Sequence, residues 1–147
     1  MKEHVVTIRP RYDEVDKMGV VHHRNYIAYF EVGRTEYMRA AGLPYTELER
    51  RGYRLVVTSL GARYRAGAGY DEELRVRTRV SGVGPASVRF EYVVERADGR
   101  VLVEGFTELA CLGPNLRPAR LPEDAVLLLS TGGKAGGKSG SPTSSFM

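Results

Sequence analysis

Residues 12–39 constrain this chain more than any other stretch. They begin as an acidic loop carrying Asp13, Glu14 and Asp16, turn at Gly19, pass the apolar pair Val20 and Val21, and reach His22 and His23. From about Asn25 to Ala41 no proline intervenes, and Tyr26, Phe30, Gly33, Tyr37 and Ala41 fall on one face of a helix. Asn25 reads as its N-cap and Gly42 as its stop. Gly33 in mid-helix costs roughly 1 kcal/mol against Ala, which predicts a backbone packed closely against it. Glu31, Arg34, Glu36 and Arg39 are spread over the remaining faces, so the helix is expected to meet partners on more than one side.

The rest of the chain reads as sheet able to wrap that helix. Residues 4–12 alternate as a strand, which Pro10 places at an edge or at its end. Residues 43–52 read as a second, short helix with Pro44 near its start and Gly52 at its end. Four strands follow at 53–65, 73–81, 86–96 and 100–112, with Asp98-Gly99 as a tight hairpin turn. The expected order is strand, long helix, short helix and a four-strand meander, an α+β architecture. Leu74, Val76, Thr78 and Val80 share one face of their strand, as Val88, Phe90, Tyr92 and Val94 do on the next. Matching those faces sets Arg75, Arg77 and Arg79 opposite Glu91, Arg89 and Ser87. Arg77 then faces Arg89 with no acid between them, and like charges so placed repel unless an anion or water intervenes. Residues 114–124 carry Pro114, Pro118 and Pro122 and leave the sheet. Residues 130–147 are nearly all Gly, Ser, Thr and Lys, a flexible composition, so the packed domain is placed at 1–129.

Composition excludes several classes. A chain of 147 residues with 42% hydrophobic and 27% charged residues is a single globular domain able to hold a core. Cys111 is the one cysteine, so no intrachain disulfide forms, and a buried small hydrophobe is its expected role. The start lacks an apolar leader, and no run approaches the ~20 residues of a membrane span, so a cytoplasmic protein is expected. Of the net charge of +4, two units come from Lys134 and Lys138 in the tail. No basic run interleaved with aromatics points to nucleic acid.

Four motifs can be weighed. Residues 132–139 satisfy the phosphate-loop pattern G-x-x-x-x-G-K-[ST], but too few residues follow for the helix that such a loop needs. His22 and His23 are adjacent and cannot converge on a metal as an i,i+4 pair does, so no metal is expected. No G-x-S-x-G elbow supports serine-hydrolase chemistry. The acids before the helix are different. A carboxylate drawn into apolar surroundings becomes a better base near pH 7, and free amides at a helix start stabilise an oxyanion. The residues alone reach an acid/base site at a helix start, with a solvated turn as the alternative.

The same stretch resembles the signature of the hot-dog-fold acyl-CoA thioesterases, especially the 4-hydroxybenzoyl-CoA thioesterase group and its Tol–Pal-associated relatives. It has an aromatic (Tyr12), two spaced acids (Glu14 and Asp16), Gly19-Val20-Val21, His22, His23, Tyr26 and Arg34-Thr35-Glu36. The similarity continues through Arg63-Tyr64, residues 74–78 and residues 117–122, about 3 to 122 in all. It implies an antiparallel sheet wrapped around one long central helix, and a homodimer or dimer of dimers with active sites between subunits. It also implies hydrolysis of an acyl-CoA thioester, with no cofactor beyond the CoA that is part of the substrate. The family's catalytic aspartate falls on Asp16, and the amide that polarises the thioester carbonyl falls on or next to His23. Gly19, Val20, Tyr26 and Val57 are the expected substrate contacts, with Arg89 as a candidate for the CoA phosphates. One departure lies after Arg63-Tyr64, where relatives commonly have Pro-Ala and then Gly-Asp and this chain has Gly67-Ala68 and Asp71-Glu72. A non-catalytic acyl-CoA or acyl-carrier binding module is the first alternative, and a hot-dog dehydratase or hydratase the second.

Overall fold

The computed structural model describes residues 3–133. Among them, five strands form one antiparallel sheet: β1 (Glu3–Ile8), β2 (Arg54–Tyr64), β3 (Leu74–Val83), β4 (Ser87–Arg96) and β5 (Val101–Leu112). Three α-helices accompany it: α1 (Arg24–Ala40), α2 (Tyr45–Arg50) and α3 (Glu123–Thr131). The architecture is the α+β arrangement expected, with every strand within a few residues of its expected place.

The sheet order is β1-β3-β4-β5-β2, which corrects the four-strand meander. Only β3, β4 and β5 follow one another in space. β2 pairs with β5 at the far edge, and the segment after Tyr64 carries the chain back across to β3. Alternation tells which face a side chain takes but not which strand lies beside it. The β3–β4 hairpin also turns later than expected. β3 runs on through Val83 by way of a bulge between Val80 and Gly82, and Gly84 N–H closes the turn on Ser87 O at 2.8 Å.

α1 packs on the inner face of β1, β3, β4 and β5. Its buried residues are Tyr26, Tyr29, Phe30, Gly33, Tyr37 and Met38, the expected stripe widened by two positions. Burying each large apolar side chain contributes roughly 1.5–3 kcal/mol. Two glycines permit the close approach. A methyl at Gly33 would stand 2.8 Å from Val76 Cγ1 and closer still to Thr78 Oγ1. One at Gly105 would stand 2.5 Å from the Phe30 ring, which stacks on Tyr92 with centroids 4.5 Å apart.

The helix leaves β2 uncovered. Val57, Leu60 and Tyr64 pair with the buried Leu109, Thr107 and Val103, so they face inward, yet they are 43%, 48% and 45% exposed. The opposite end of α1 is held by α3, where Tyr37 Oη donates to Leu129 O at 2.9 Å. α3 was not foreseen in the sequence, and it runs past the domain boundary placed at residue 129. Pro122 precedes it, Glu123 and Asp124 sit in its first turn, and Gly132 ends it at φ +70°. From residue 134 onward, the remainder of the phosphate-loop-like run and of the expected tail lies outside the described residues.

Candidate active site

Residues 15–21 form a tight hairpin at the start of α1. Val15 and Val21 make an isolated antiparallel bridge, Asp16 N–H donates to Val20 O at 2.8 Å, and Gly19 N–H donates to Asp16 O at 3.0 Å. Gly19 takes φ +82°, a conformation that costs glycine nothing. Asp16 Oδ1 accepts the amides of Met18 at 2.8 Å and Val20 at 3.4 Å. Among the described residues no donor reaches its Oδ2, so one carboxylate oxygen stays available. Asp16 is exposed rather than drawn into apolar surroundings. Val21 alone goes in, because its N–H is taken by Ala68 O at 2.8 Å; Val20 lies outside against Gly67.

The three acids have separate tasks. Asp13 pairs with Arg11 at the surface, and that hydrogen bond holds its carboxyl below its ordinary value. Glu14 is a structural pin that the sequence reading missed. Its carboxylate Oε1 accepts Tyr29 Oη–H at 2.8 Å and Arg11 N–H at 2.8 Å. Its carbonyl accepts His22 N–H at 2.9 Å and the Asn25 side-chain amide at 3.0 Å. The loop is therefore tied to the first two turns of α1 through one residue. Burial, and then the Glu14 contact, raise the Tyr29 hydroxyl's pKa, so it stays a donor. Only Asp16 remains free for chemistry.

The helix begins differently from expectation. His23 rather than Asn25 is the N-cap, and it already has helical φ and ψ. His22 supplies the cap: its Nδ1 accepts Arg24 N–H at 3.2 Å and its carbonyl accepts Asn25 N–H at 3.0 Å. The His23 amide meets no acceptor among the described residues, so it is a spare donor at the positive end of a 17-residue helix. The His23 carbonyl accepts Tyr64 Oη–H at 3.3 Å, and the two rings meet edge to face at 5.8 Å. The two imidazoles stack at 4.3 Å, and the described residues hold no group of three or more His, Cys, Asp or Glu placed to bind a metal.

The other named residues divide. Val57 lies on the uncovered inner face of β2. Tyr26, expected to touch substrate, is buried among Tyr29 and Tyr64, its hydroxyl beside the Ala68 backbone without a well-aligned hydrogen bond; one turn into α1 it faces the sheet. Arg89 lies on the other face of the sheet. It alternates with the buried Val88 and Phe90, so it projects from the outer face, away from α1 and Asp16. There it pairs with Glu108 at 3.0 Å and Glu91 at 3.4 Å and lies 4.1 Å over the Phe106 ring. Its expected confrontation with Arg77 does not occur. Arg77 stands opposite Val93 and binds Glu95 and Glu3, Arg79 binds Glu91, and Arg75 stands opposite Glu95.

The divergent 65–73 segment is tied in by hydrogen bonds. Arg96 binds both Glu72 and the Gly67 carbonyl, and Glu72 accepts Gly69 N–H at 3.0 Å. Desolvation pushes the Glu72 carboxyl up, but those bonds leave it below its ordinary value. The substituted residues thus buttress the Gly19–Val21 turn.

The chain as a whole has counterparts among known proteins. The thioesterase-like superfamily model matches residues 10–128. The chain belongs to that superfamily. As a member of the thioesterase-like superfamily it has the hot-dog fold, and it is a thioester hydrolase by class. The acyl-CoA thioesterase YbgC of Haemophilus influenzae is 33% identical over 119 residues, covering 80% of this chain and 87% of that one. Among solved structures, the hypothetical protein TT1821 of Thermus thermophilus aligns with a TM-score of 0.82 at 43% identity, covering 86% of this chain and 97% of that one. The DHNA-CoA thioesterase of Staphylococcus aureus aligns with a TM-score of 0.79 at 34% identity, covering 82% of each chain.

Proposed function

We propose that this member of the superfamily hydrolyses acyl-CoA thioesters to a carboxylate and free CoA, with Asp16 and the His23 amide at the reacting centre. The observation that carries the reading is the clamp through Glu14, which holds a carboxylate with one open oxygen beside a helix start with one open amide. In the general-base route Asp16 takes a proton from water as the oxygen attacks the thioester carbon. The carbonyl oxygen gains charge and is stabilised by His23 N–H and the α1 dipole. Collapse breaks the C–S bond, and the proton passes from Asp16 to the departing thiolate. In the nucleophilic route Asp16 attacks the thioester carbon, the C–S bond breaks and CoA leaves as the thiolate that takes a proton from solvent, and water then opens the mixed anhydride to the product carboxylate and free Asp16. Neither route needs a cofactor. The names of the YbgC and DHNA-CoA relatives support acyl-CoA as the substrate class.

The working unit is a homodimer, or a dimer of dimers. β2 is an edge strand of 11 residues with Val57, Leu60 and Tyr64 bare on its inner face, a surface that needs a partner. A second copy along this edge would also shield Asp16 from solvent. The decisive assay follows free-thiol release over a panel of acyl-CoAs. Asp16→Asn should retain the fold and lose turnover by ~10²–10⁴. Near wild-type release would move the reacting centre away from Asp16. A fully active monomer in light scattering would remove the dimer.

A further inference from the structure

The loop that carries Asp16 is held from two directions. Glu14 ties its base to the start of α1 through Tyr29, Asn25 and His22. Its tip rests instead on residues 67–69. Gly67 lies against Val20, so that a methyl there would stand 3.4 Å from Val20 Cβ and Cγ1. Ala68, itself buried, accepts Val21 N–H at 2.8 Å. A methyl on Gly69 would stand 3.7 Å from Gly19 O. Asp16 depends on this tip, because its Oδ1 accepts the Met18 and Val20 amides and its own N–H donates to Val20 O.

Residues 67–69 belong to no strand or helix, and two of the three are glycines, which lose the most freedom when fixed. Arg96, the last residue of β4, fixes them with a fork. Its Nη2 donates to Gly67 O at 2.9 Å and its Nε binds Glu72 Oε2, while Glu72 Oε1 accepts Gly69 N–H at 3.0 Å. One guanidinium and one carboxylate therefore grip both ends of the support. Their own backbones are pinned in turn. Arg96 closes the Asp98-Gly99 hairpin, its N–H donating to Arg100 O at 2.9 Å and its carbonyl accepting Gly99 N–H at 2.8 Å. Glu72 is aimed by Asp71, which sits at φ +61°, a strained conformation that persists where neighbours over-determine it. Asp71 N–H donates to Pro10 O at 3.0 Å, and Arg9 Nη1 donates to the Asp71 carbonyl at 2.8 Å. Every contact from Arg96 to Val20 lies within one copy, so the support stands when a second copy covers β2.

We propose that Arg96, acting through Glu72 and residues 67–69, is a positioning residue that fixes the tip of the Asp16 loop for the reaction. The inference deepens the acyl-CoA reading above and rests on it. Arg96 limits the excursions of Val20, and so the angle at which Asp16 presents its open oxygen. Misplacing a reacting group by about 1 Å costs up to ~10²-fold in rate. Substrate binding is spread over other contacts and changes little.

The test joins steady-state thiol release to amide hydrogen exchange read by NMR, both on the full chain. Arg96→Met keeps the stem and removes the fork. It should lower kcat by about 10–100-fold with KM within about twofold of wild type. Glu72→Gln, a milder change that keeps an acceptor for Gly69, should lower kcat less. The double variant should be no slower than Arg96→Met, because the two side chains act as one unit. In the exchange arm, the Asp16 and Val21 amides should open roughly tenfold faster in Arg96→Met, while those of Phe30 and Tyr37 in α1 keep their rates. Unchanged kcat, a loss carried by KM, or an acceleration shared equally by α1 overturns the proposal; the last would leave Arg96 a contributor to stability alone. If wild type cleaves no acyl-CoA, the thioesterase reading fails by itself. The exchange arm then decides: selective opening at Asp16 and Val21 upholds the support of the loop by Arg96, and equal rates overturn it.

Discussion

Gly33→Ala sets two opposed effects against each other at a single atom. Helix propensity alone favours alanine by about 1 kcal/mol in a helix interior. Against this, the new methyl would lie 2.8 Å from Val76 Cγ1 and nearer still to Thr78 Oγ1, and both partners are fully buried. Val and Thr are branched at Cβ and have few rotamers to retreat into, so α1 must lift from the sheet. Overpacking of this kind costs about 1–3 kcal/mol, and more where the neighbours cannot move. The net is a loss of roughly 1–2 kcal/mol, equivalent at this chain length to a fall in Tm of about 2–8 °C. The assay is thermal unfolding by circular dichroism. Thr78→Ala supplies the control, because the Thr78 hydroxyl has no hydrogen-bond partner among the described residues, so its removal is close to neutral. In that background Gly33→Ala should cost at least 1 kcal/mol less, a coupling read from the double-mutant cycle. An unchanged or raised Tm for Gly33→Ala alone would refute the close contact between α1 and β3.

Other outcomes follow from particular contacts. Tyr29→Phe removes the hydroxyl that Glu14 holds at 2.8 Å; it should cost about 1–3 kcal/mol in a melt and lower kcat for thiol release several-fold. Arg50 and Arg51 pull the Glu47 carboxyl from 4.5 to about 2, and Arg51 lowers Asp124 as well. A depressed folded-state pKa gives stability that is present above the unfolded value and lost as pH falls through the folded one. The Tm gap between wild type and Arg51→Met should therefore be full above pH 4.5 and close toward pH 2; a gap constant with pH would assign the effect to packing. Removing residues 134–147, which carry little apolar area, should leave Tm and thiol release unchanged, whereas a cut after Leu129 should lower Tm by removing the end of α3.

Local chemistry was legible in the sequence, and long-range placement was not. The α1 stripe, the close approach at Gly33 and the Asp98-Gly99 turn were all readable from periodicity and backbone preference, and the structure has each of them. The position of β2 was not readable, because its alternation fits any neighbour. The arginine ladder was matched four residues out of register, since nothing in the sequence marks the bulge that carries β3 to Val83. α3 had signals, with Pro122 and two acids before Ala125 and Leu129, but the prolines of 114–124 read as an exit from the sheet and the flexible composition after 129 hid the end of the helix. At the site, the acidic loop before the helix was legible in the sequence, whereas the pinning role of Glu14 depends on Tyr29, 15 residues away, and only the folded helix brings them together.

The sheet order also bears on the sequence of folding events. Contacts between β3 and β4 join residues close in the chain, such as Arg79 and Glu91, 12 apart. Those that place β2 on β5 span 50 residues, from Thr58 to Glu108, and those that fix β1 on β3 span 74, from Glu3 to Arg77. Closing a longer loop costs more entropy before any contact repays it. The β3–β4–β5 hairpins are thus the natural nucleus, with the two outer strands arriving afterwards. Destabilising changes in β2 should speed unfolding while leaving the refolding rate nearly untouched, and changes at Phe90 or Tyr92 should slow refolding. The two edge strands, β1 and the β2 that carries Val57 and Leu60, are then the last to dock and the first to leave.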